Sequence, residues 1–402
     1  GLQAVGVPGS STWQPEWSDY LAGFDQIYVV IEPDAGGATL LGRLSSSPLA
    51  EKTHVIRMGD LPQLGDAFVK DVNDLHRADP LTFAETIDSL TTSSIPLADA
   101  LEEEAALRRA AAWDECSEIA VMTDIVGYVA DVVGREVAGE DRIVRLLYLV
   151  ATSRLLDQPA SIAVKGPSSS GKSYVVKKVL EIFPSSAYLM LSGMSDKALA
   201  YMEEPLKHRC LIVAEAAGVT GEMADYLVRT LLSEGCIHYQ TVGKNEEGPQ
   251  GRLMTVEGPT SLIVTTTKVS LHAENETRLL SVTVNDSREQ TRQILRVTAH
   301  RRNYQTMPYD DKGPLVAFQE WLHDAEHRVV VPFAGDLAEL VSADACRMRR
   351  DFDTLITLVA THALIHQETR ARDEQGRIVA SLEDYRAVRE LVADLIAEQL
   401  EA

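Results

Sequence analysis

Cysteine is scarce in this chain, which has four cysteines among 402 residues. They are scattered, at Cys116, Cys210, Cys236 and Cys346, with no CxxC pair and no histidine at the spacing of a metal ligand. This pattern supports neither a disulfide framework nor a zinc ribbon. We therefore expect buried free thiols.

Long apolar runs are also missing. No stretch of about 18 uncharged apolar residues is present, and no charged-then-apolar leader precedes the first domain. Hydrophobic residues nevertheless make up 45% of the sequence, which is enough for two or three domains with large cores. We expect a globular, cytoplasmic protein with no membrane partner. Because the sequence opens at Gly1 without a methionine, we also expect it to be part of something longer.

A surplus of basic residues is the third missing feature. The chain has 38 Lys and Arg against 60 Asp and Glu, and its formal net charge is −22. This charge argues against a protein coated in nucleic-acid-binding surface. A ring or channel can still concentrate a few basic residues while the outside stays acidic, so net charge leaves the partner open.

Apolar patterning divides the chain into segments of different character. Strands are predicted at 26–31 and 54–58, with a helix start at Thr39. A later α/β segment has strands at 161–165, 210–213 and 261–265. Beyond about 290 the pattern is mostly helical, with one apolar stripe at Phe352, Leu355, Ile356, Val359 and Ala363.

The fold class predicted from this patterning is α/β, in four parts. Between the two α/β segments the composition turns Ser/Thr-rich and then acidic, which indicates a connector. The expected boundaries are a small α/β domain at 1–82, truncated at its N-terminus, a linker and helical connector at 83–135, a second α/β domain at 136–290 and a helical domain at 291–402.

One glycine-rich motif carries a specific chemistry. It lies between an apolar strand and a helix, and it consists of Gly166, Pro167, Ser168, Ser169, Ser170, Gly171, Lys172 and Ser173. Glycines let successive backbone N–H groups surround phosphate oxygens, while the lysine adds a charge toward the β/γ-phosphates. The Ser173 hydroxyl is suited to Mg²⁺, and the helix that begins there adds its dipole. The motif predicts a P-loop that binds a nucleoside triphosphate and Mg²⁺, and it leaves open which nucleotide. The cofactors that we expect are ATP and Mg²⁺.

A carboxylate follows the next buried strand, about forty residues downstream. Glu215 comes after Cys210–Val213 and Ala214, and we expect it to act as the general base that orients the attacking water. Ala214 occupies the position of an expected Mg²⁺-facing Asp. A structural, solvated Glu215 is the alternative.

The order of motifs after Glu215 resembles AAA+ ATPases of the MCM-like helicase group. Strand runs at 237–242 and 253–256 flank a Gly/Asn/Glu/Pro turn, which predicts a β-hairpin. In that group a hairpin precedes the strand that ends in the first nucleotide sensor, and an arginine finger follows. The resemblance covers about 140–290 and implies an AAA+ core with a C-terminal α-helical lid.

This resemblance implies roles for several residues. Thr266 or Thr267 stands where the group usually has an asparagine sensor. Arg278 matches the finger that reaches a neighbouring subunit's γ-phosphate, which is worth ~10³ to 10⁵ in rate; a surface salt bridge is the alternative. Arg350 is the candidate for the second sensor arginine. Two rivals lie beside it, Arg347 and Arg349, and all three could instead form a solvated helical face.

Lys244, at the hairpin turn, is the candidate for DNA contact, because hairpin-tip lysines of the group touch DNA in a central channel. The alternative is a polar turn, since one lysine beside Asn245, Glu246 and Glu247 is weak support for phosphate contact.

The first α/β segment resembles the second half of a TOPRIM domain from primases. A buried strand run delivers Glu32 and Asp34, then two glycines and a helix, while Asp71 follows a later strand-like run. Carboxylates at i and i+2 suit Mg²⁺. The resemblance covers about 1–80 and implies metal binding by these three acids; its general acid/base Glu is not found in this sequence. Acidic loop residues without a metal are the alternative.

The combined prediction is a primase-helicase of a phage, plasmid or integrated element. Its motor would hydrolyse ATP at subunit interfaces of a homo-oligomer, expected to be a hexameric ring, and move along single-stranded or forked DNA. Two alternatives stay open: a TOPRIM-ATPase nuclease, and a nucleotide-switched DNA-binding scaffold or loader.

Overall fold

The computed structural model describes most of the chain in two compact units, Gly1–Arg108 and Arg109–Ala402. The described residues are 4–7, 9, 13–14, 17–31, 35–57, 72–202, 204–214, 221–245, 248–267, 276–303, 311–341 and 347–401.

The first unit contains a three-stranded sheet. Its strands are β1 (Ile27–Ile31), β2 (Thr53–Arg57) and β3 (Ile95–Pro96), in the order β1-β2-β3. Strands β1 and β2 are parallel, and β3 pairs antiparallel to β2. The helices are α1 (Trp17–Leu21), α2 (Ala35–Ser45), α3 (Val72–Ala78), α4 (Phe83–Thr92) and the start of α5 (Leu97–Ala120).

In the first unit, a helix packs against the apolar side chains of the short strands. Parallel neighbours require a crossover connection, and α2 lies in the crossover between β1 and β2. Its side chains Leu41 and Leu44 are buried with Val55 in one cluster. Both predicted strands and the helix between them are confirmed, although α2 begins at Ala35, before the predicted start.

The second unit contains the larger sheet and most of the helices. Its strands are β4 (Ile162–Lys165), β5 (Tyr188–Leu191), β6 (Arg209–Val213), β7 (Cys236–Asn245), β8 (Gly248–Glu257), β9 (Thr260–Thr266), β10 (Leu280–Thr283), β11 (Val329–Val330) and β12 (Ile378–Val379). Its helices are α6 (Ile125–Gly134), α7 (Asp141–Thr152), α8 (Lys172–Leu180), α9 (Glu222–Glu234), α10 (Arg288–Asn303), α11 (Gly313–His323), α12 (Ala334–Leu340), α13 (Met348–Ile365) and α14 (Leu382–Glu401).

The central sheet of this unit has five parallel strands in the order β10-β4-β9-β6-β5. Every residue of β9 is buried, as expected for a strand in the middle of a parallel sheet that helices cover. Its neighbours are β4 on one side and β6 on the other. In such sheets ligands bind at the carboxyl ends of the strands. The carboxyl ends of β4, β9 and β6 therefore form a candidate ligand-binding edge of the sheet.

Helix α7 anchors the main core. The sequence predicts an apolar face at Ile143, Leu146, Leu147 and Val150, and the structure buries these residues together with Tyr148 and Leu149. The C-terminal half of the helix is therefore enclosed on all sides, with side chains of α8 and α13 in the same cluster. Each fully buried large apolar side chain contributes about 1.5–3 kcal/mol.

The predicted hairpin is confirmed and is longer than its apolar runs. Strands β7 and β8 pair antiparallel from Cys236 with Glu257 to Asn245 with Gly248. Pairing extends beyond the apolar positions because backbone hydrogen bonds also form where side chains are polar or exposed.

The segments that flank residues 136–290 differ in their packing. Beyond residue 290 the described chain is mostly helical, as predicted, and α13 contains the stripe from Phe352 to Ala363. The predicted connector at 83–135 is divided: β3 belongs to the first unit's sheet, whereas α6 is buried in the core of the second. No helix of the described residues is long and apolar enough to cross a membrane.

Candidate nucleotide-binding site

The glycine-rich motif forms the connection between β4 and α8. Its backbone needs left-handed conformations, with φ of 154° at Gly166, 65° at Ser169 and 91° at Gly171. A Cβ on Gly166 would lie 2.4 Å from Val284 Cγ2 and 2.9 Å from Ser170 Oγ. Glycine at this position is therefore a requirement of packing as well as of backbone conformation.

Lys172, the first residue of α8, folds back over the loop. Its ammonium donates hydrogen bonds to the carbonyl oxygens of Gly166, at 2.9 Å, and Pro167, at 2.7 Å. The residue is only 5% exposed, and none of the described carboxylates forms an ion pair with it. A cation held by neutral carbonyls is well placed to exchange them for phosphate oxygens, which bind it more strongly.

The start of α8 offers further groups to a phosphate. The Ser173 side chain lies exposed in the first helical turn, where a hydroxyl can reach a Mg²⁺ ion. The Ser170 hydroxyl is buried and has no hydrogen-bond partner among the described residues. Buried polar groups normally have partners, so this orphan, together with the crowded Gly166, fits a cradle made for a phosphate chain and Mg²⁺.

Thr266, one of the two predicted sensor residues, lies directly beside the loop. It is the last residue of β9, is fully buried, and is in register with Lys165 of β4. The Gly166 backbone N–H donates to the Thr266 carbonyl oxygen at 3.3 Å. Thr267 follows the strand and is exposed. Thr266 and the loop are thus held together by the parallel pairing of β4 with β9.

The strand that precedes the predicted general base ends at the same edge. Strand β6 runs to Val213, and the Ala214 N–H donates to the Leu191 carbonyl at 3.0 Å. Glu215 itself lies outside the described residues, as do the predicted metal ligands Glu32, Asp34 and Asp71. Lys244 is near the turn end of β7, opposite Pro249, and its side chain also lies outside the described part.

A lysine at the end of β4 contacts the segment that contains the predicted finger. The Lys165 ammonium forms an ion pair with Glu276, and both side chains are largely buried. Two residues on, the Arg278 Nε donates to Ser233 Oγ near the C-terminus of α9, at 2.7 Å. The sequence did not single out Lys165 or Glu276, although Lys165 immediately precedes the loop.

The lid arginines contact this same segment. Arg350 donates to Thr277 Oγ1 at 2.6 Å, and Arg347 donates to the Glu276 carbonyl at 3.3 Å. Arg347 also pairs with Asp351 at 3.1 Å; burial still raises the pKa of Asp351, against the lowering effect of this arginine. Arg349 is exposed. Residues 276–278 are therefore held in place by contacts with Lys165 at the end of β4 and with the arginines at the start of α13.

A buried carboxylate that the sequence did not flag lies behind the loop. Glu140 is 8% exposed, and its Oε1 accepts the Asn285 N–H at 2.9 Å just after β10. Burial raises the pKa of Glu140, while that hydrogen bond opposes the shift. The contact fixes the exit of β10, next to Val284, which packs against Gly166.

A second cluster, of His362, His366 and Asp384, has the spacing of metal ligands but is already committed to the fold. The Ile125 N–H donates to His366 Nε2 at 3.2 Å, and His366 Nδ1 lies 2.9 Å from the His362 carbonyl. Burial lowers the pKa of His366 to about 4. Asp384 pairs with His362 and with Arg370. We interpret the cluster as a structural network.

Comparison with known protein families identifies one domain in the chain. Residues 111–311, half of the chain, match the family described as the MTBMA_p00010 P-loop domain. The matched span contains the loop, all five strands of the central sheet and the hairpin. No curated protein matches the chain.

Proposed function

We propose that this chain, which belongs to the MTBMA_p00010 P-loop domain family, is the ATP-hydrolysing motor of a DNA helicase or translocase of primase-helicase type. The observation that carries the proposal is the loop between β4 and α8, with Lys172 folded over it and Thr266 beside it. P-loop domains bind nucleotides, usually with Mg²⁺, and phosphoryl transfer depends on positioning and charge. The backbone of the loop would position the nucleotide, and the Lys172 ammonium would supply positive charge.

Each proposed role follows from position. Lys172 would bind the β/γ-phosphates and Ser173 would hold Mg²⁺, which neutralises phosphate charge when bound. Thr266 would sense the γ-phosphate through its hydroxyl or through a water. Glu215 would orient the attacking water, because it follows the strand that pairs with β9.

We further propose that Arg278 acts on the nucleotide of a neighbouring subunit in a hexameric ring. It lies two residues before β10, whose first residue, Leu280, is in register with Ile162. Ile162 is three residues, or about 10 Å, before the end of β4. Arg278 thus enters the sheet from its amino-terminal edge, whereas the loop is at the carboxyl edge. This placement favours action in trans.

The test is ATP hydrolysis with and without single-stranded DNA, for wild type, Glu215→Gln, Arg278→Ala and equimolar mixtures of the two variants. We expect DNA to stimulate the wild type, each variant to lose at least 10³-fold, and mixtures to recover activity, since a mixed interface can combine an intact Glu215 with an intact Arg278. Arg386→Ala, at an exposed position of α14, is the control and should match wild type.

The outcomes separate the candidates. Hydrolysis that ignores DNA would remove the helicase or translocase function. Ala214, at the position of an expected Mg²⁺-facing Asp, favours a second candidate, a nucleotide-switched scaffold or loader. Very slow turnover with nucleotide-dependent assembly would support that candidate instead.

For the first unit we propose a TOPRIM-like metal site at Glu32, Asp34 and Asp71. The parallel β1 and β2 with α2 between them support it, since β1 ends immediately before Glu32. Metal-dependent DNA cleavage without ribonucleotides would favour a TOPRIM-ATPase nuclease, and primer synthesis would favour a primase. Loss of either activity in Asp34→Asn would place it at this site.

A further inference from the structure

Helix α10 concentrates positive charge in a chain whose net charge is −22. Its sixteen residues include five arginines and a single acid, Glu289. Arg288, Arg292, Arg296 and His300 follow one another at intervals of four. Successive members are rotated by about 40° and raised by about 6 Å, so they form one stripe about 18 Å long. We call these four residues the α10 stripe.

The stripe faces away from the body of its unit. All four of its residues are exposed. The side that faces inward is marked by Gln290, which is 4% exposed and donates to the Ala138 carbonyl. Gln290 is two residues from Arg292, which places the two about 160° apart around the helix axis. The stripe arginines therefore point to solvent.

Within the described part of the chain, the stripe arginines are only weakly engaged by other side chains. Arg292 pairs with Glu289 at 3.6 Å, with both side chains more than 60% exposed. Such exposed pairs contribute little and can be exchanged. A helix that keeps several arginines on one outward face of an acidic protein is matched by a ligand with closely repeated negative charge. Guanidinium groups bind phosphates through paired hydrogen bonds.

We propose that the α10 stripe binds the phosphate backbone of single-stranded DNA. The choice of DNA as the ligand rests on the proposed motor function. Phosphate binding by the stripe requires neither ring assembly nor ATP hydrolysis. Its position also suits a motor, because Arg288 is only four residues from Val284, whose side chain packs against Gly166 of the phosphate loop. A movement of the phosphate loop would therefore be transmitted to the stripe through Val284 and the residues that follow it.

The experiment is fluorescence anisotropy with a labelled single-stranded oligonucleotide at several salt concentrations. It compares wild type with Arg292→Gln/Arg296→Gln and with a matched control, Arg386→Gln/Arg389→Gln, which removes two exposed arginines from α14. Each phosphate contact contributes about 0.7 to the salt slope for a single strand. The α10 variant should lose roughly 25-fold in affinity near 0.1 M salt, with a slope lower by about 1.4. The control should match wild type.

Three outcomes would overturn the proposal. Equal losses in both double variants would reduce the effect to net charge, and equal affinity of all three proteins would place the DNA elsewhere. Loss of self-association at low salt, with DNA affinity intact, would make the stripe a contact between copies. DNA binding through the stripe without DNA-stimulated hydrolysis would instead contradict only the motor function.

Discussion

At the residue scale, Gly166 is the position where the phosphate loop leaves least room. A Cβ there would be 2.4 Å from Val284 Cγ2, and a strained backbone conformation costs about 1–3 kcal/mol. We expect Gly166→Ala to weaken ATP binding about tenfold or more, measured by calorimetric titration. Gly42→Ala in α2, where the added methyl group meets no atom within 4 Å, is the control. Unchanged ATP affinity in Gly166→Ala would contradict this account of the loop.

Some residues of the candidate site could be predicted from the sequence, and others could not. Lys172 and Ser173 are found from the motif because the loop is a local structure. The contact of Lys165 with Glu276 joins residues 111 positions apart, and no local pattern connects them. It becomes visible only when the sheet order places β10 beside β4. The orphaned Ser170 hydroxyl likewise depends on packing.

At the element scale, a network of four charges ties α8 to its neighbours. Glu136 and Glu181 both pair with Lys178 of α8 and with Lys312, which immediately precedes α11. Burial alone would raise the pKa of each glutamate, but the hydrogen bonds and charges of the two lysines outweigh it and lower both. The network therefore stabilises the fold above the ordinary glutamate pKa of 4.5 and loses this contribution as pH falls below it.

We expect Lys312→Met to reduce the free energy of unfolding by about 1 kcal/mol at pH 7, a value discounted because the glutamates are partly exposed. Below pH 4.5 the difference from wild type should shrink, since the unfolded chain then takes up protons on both glutamates while the lysines still hold the folded-state pKa values lower. Urea unfolding at pH 7 and pH 3.5 measures this. Lys207→Met, at an exposed position, should change neither value, and a pH-independent loss in Lys312→Met would assign the effect to packing.

Elements were predicted where they carry their own pattern. The apolar runs of β4, β6 and β9 and the stripe of α13 are such cases. Strand β3 has two residues, and only its pairing with β2 defines it. Helix α6 follows an acidic helix in a segment whose composition indicates a connector, yet its apolar residues complete the core beneath α7. Composition describes the polarity of a segment, whereas its place in a core depends on the elements that pack against it.

At the scale of the whole molecule, the proposed ring predicts that assembly depends on nucleotide. A nucleotide held between two subunits stabilises their contact by mass action. Sedimentation should therefore show a shift toward a species of six times the chain mass when Mg²⁺ and ATP are added, and Lys172→Ala should remain unshifted. Arg278→Ala should still assemble while hydrolysing slowly. An unchanged mass of the wild type at saturating ATP would contradict ring formation.

The account as a whole depends on the phosphate loop being an ATPase site. The most direct measurement is the rate of Mg²⁺-dependent ATP hydrolysis by wild type, Lys172→Ala and Lys177→Ala, the last changing an exposed lysine five residues further along α8. We expect wild type and Lys177→Ala to hydrolyse ATP equally and Lys172→Ala to lose about 10²- to 10³-fold, the usual effect of removing a group that stabilises transition-state charge. Equal rates in all three proteins, or no hydrolysis by any, would contradict the account.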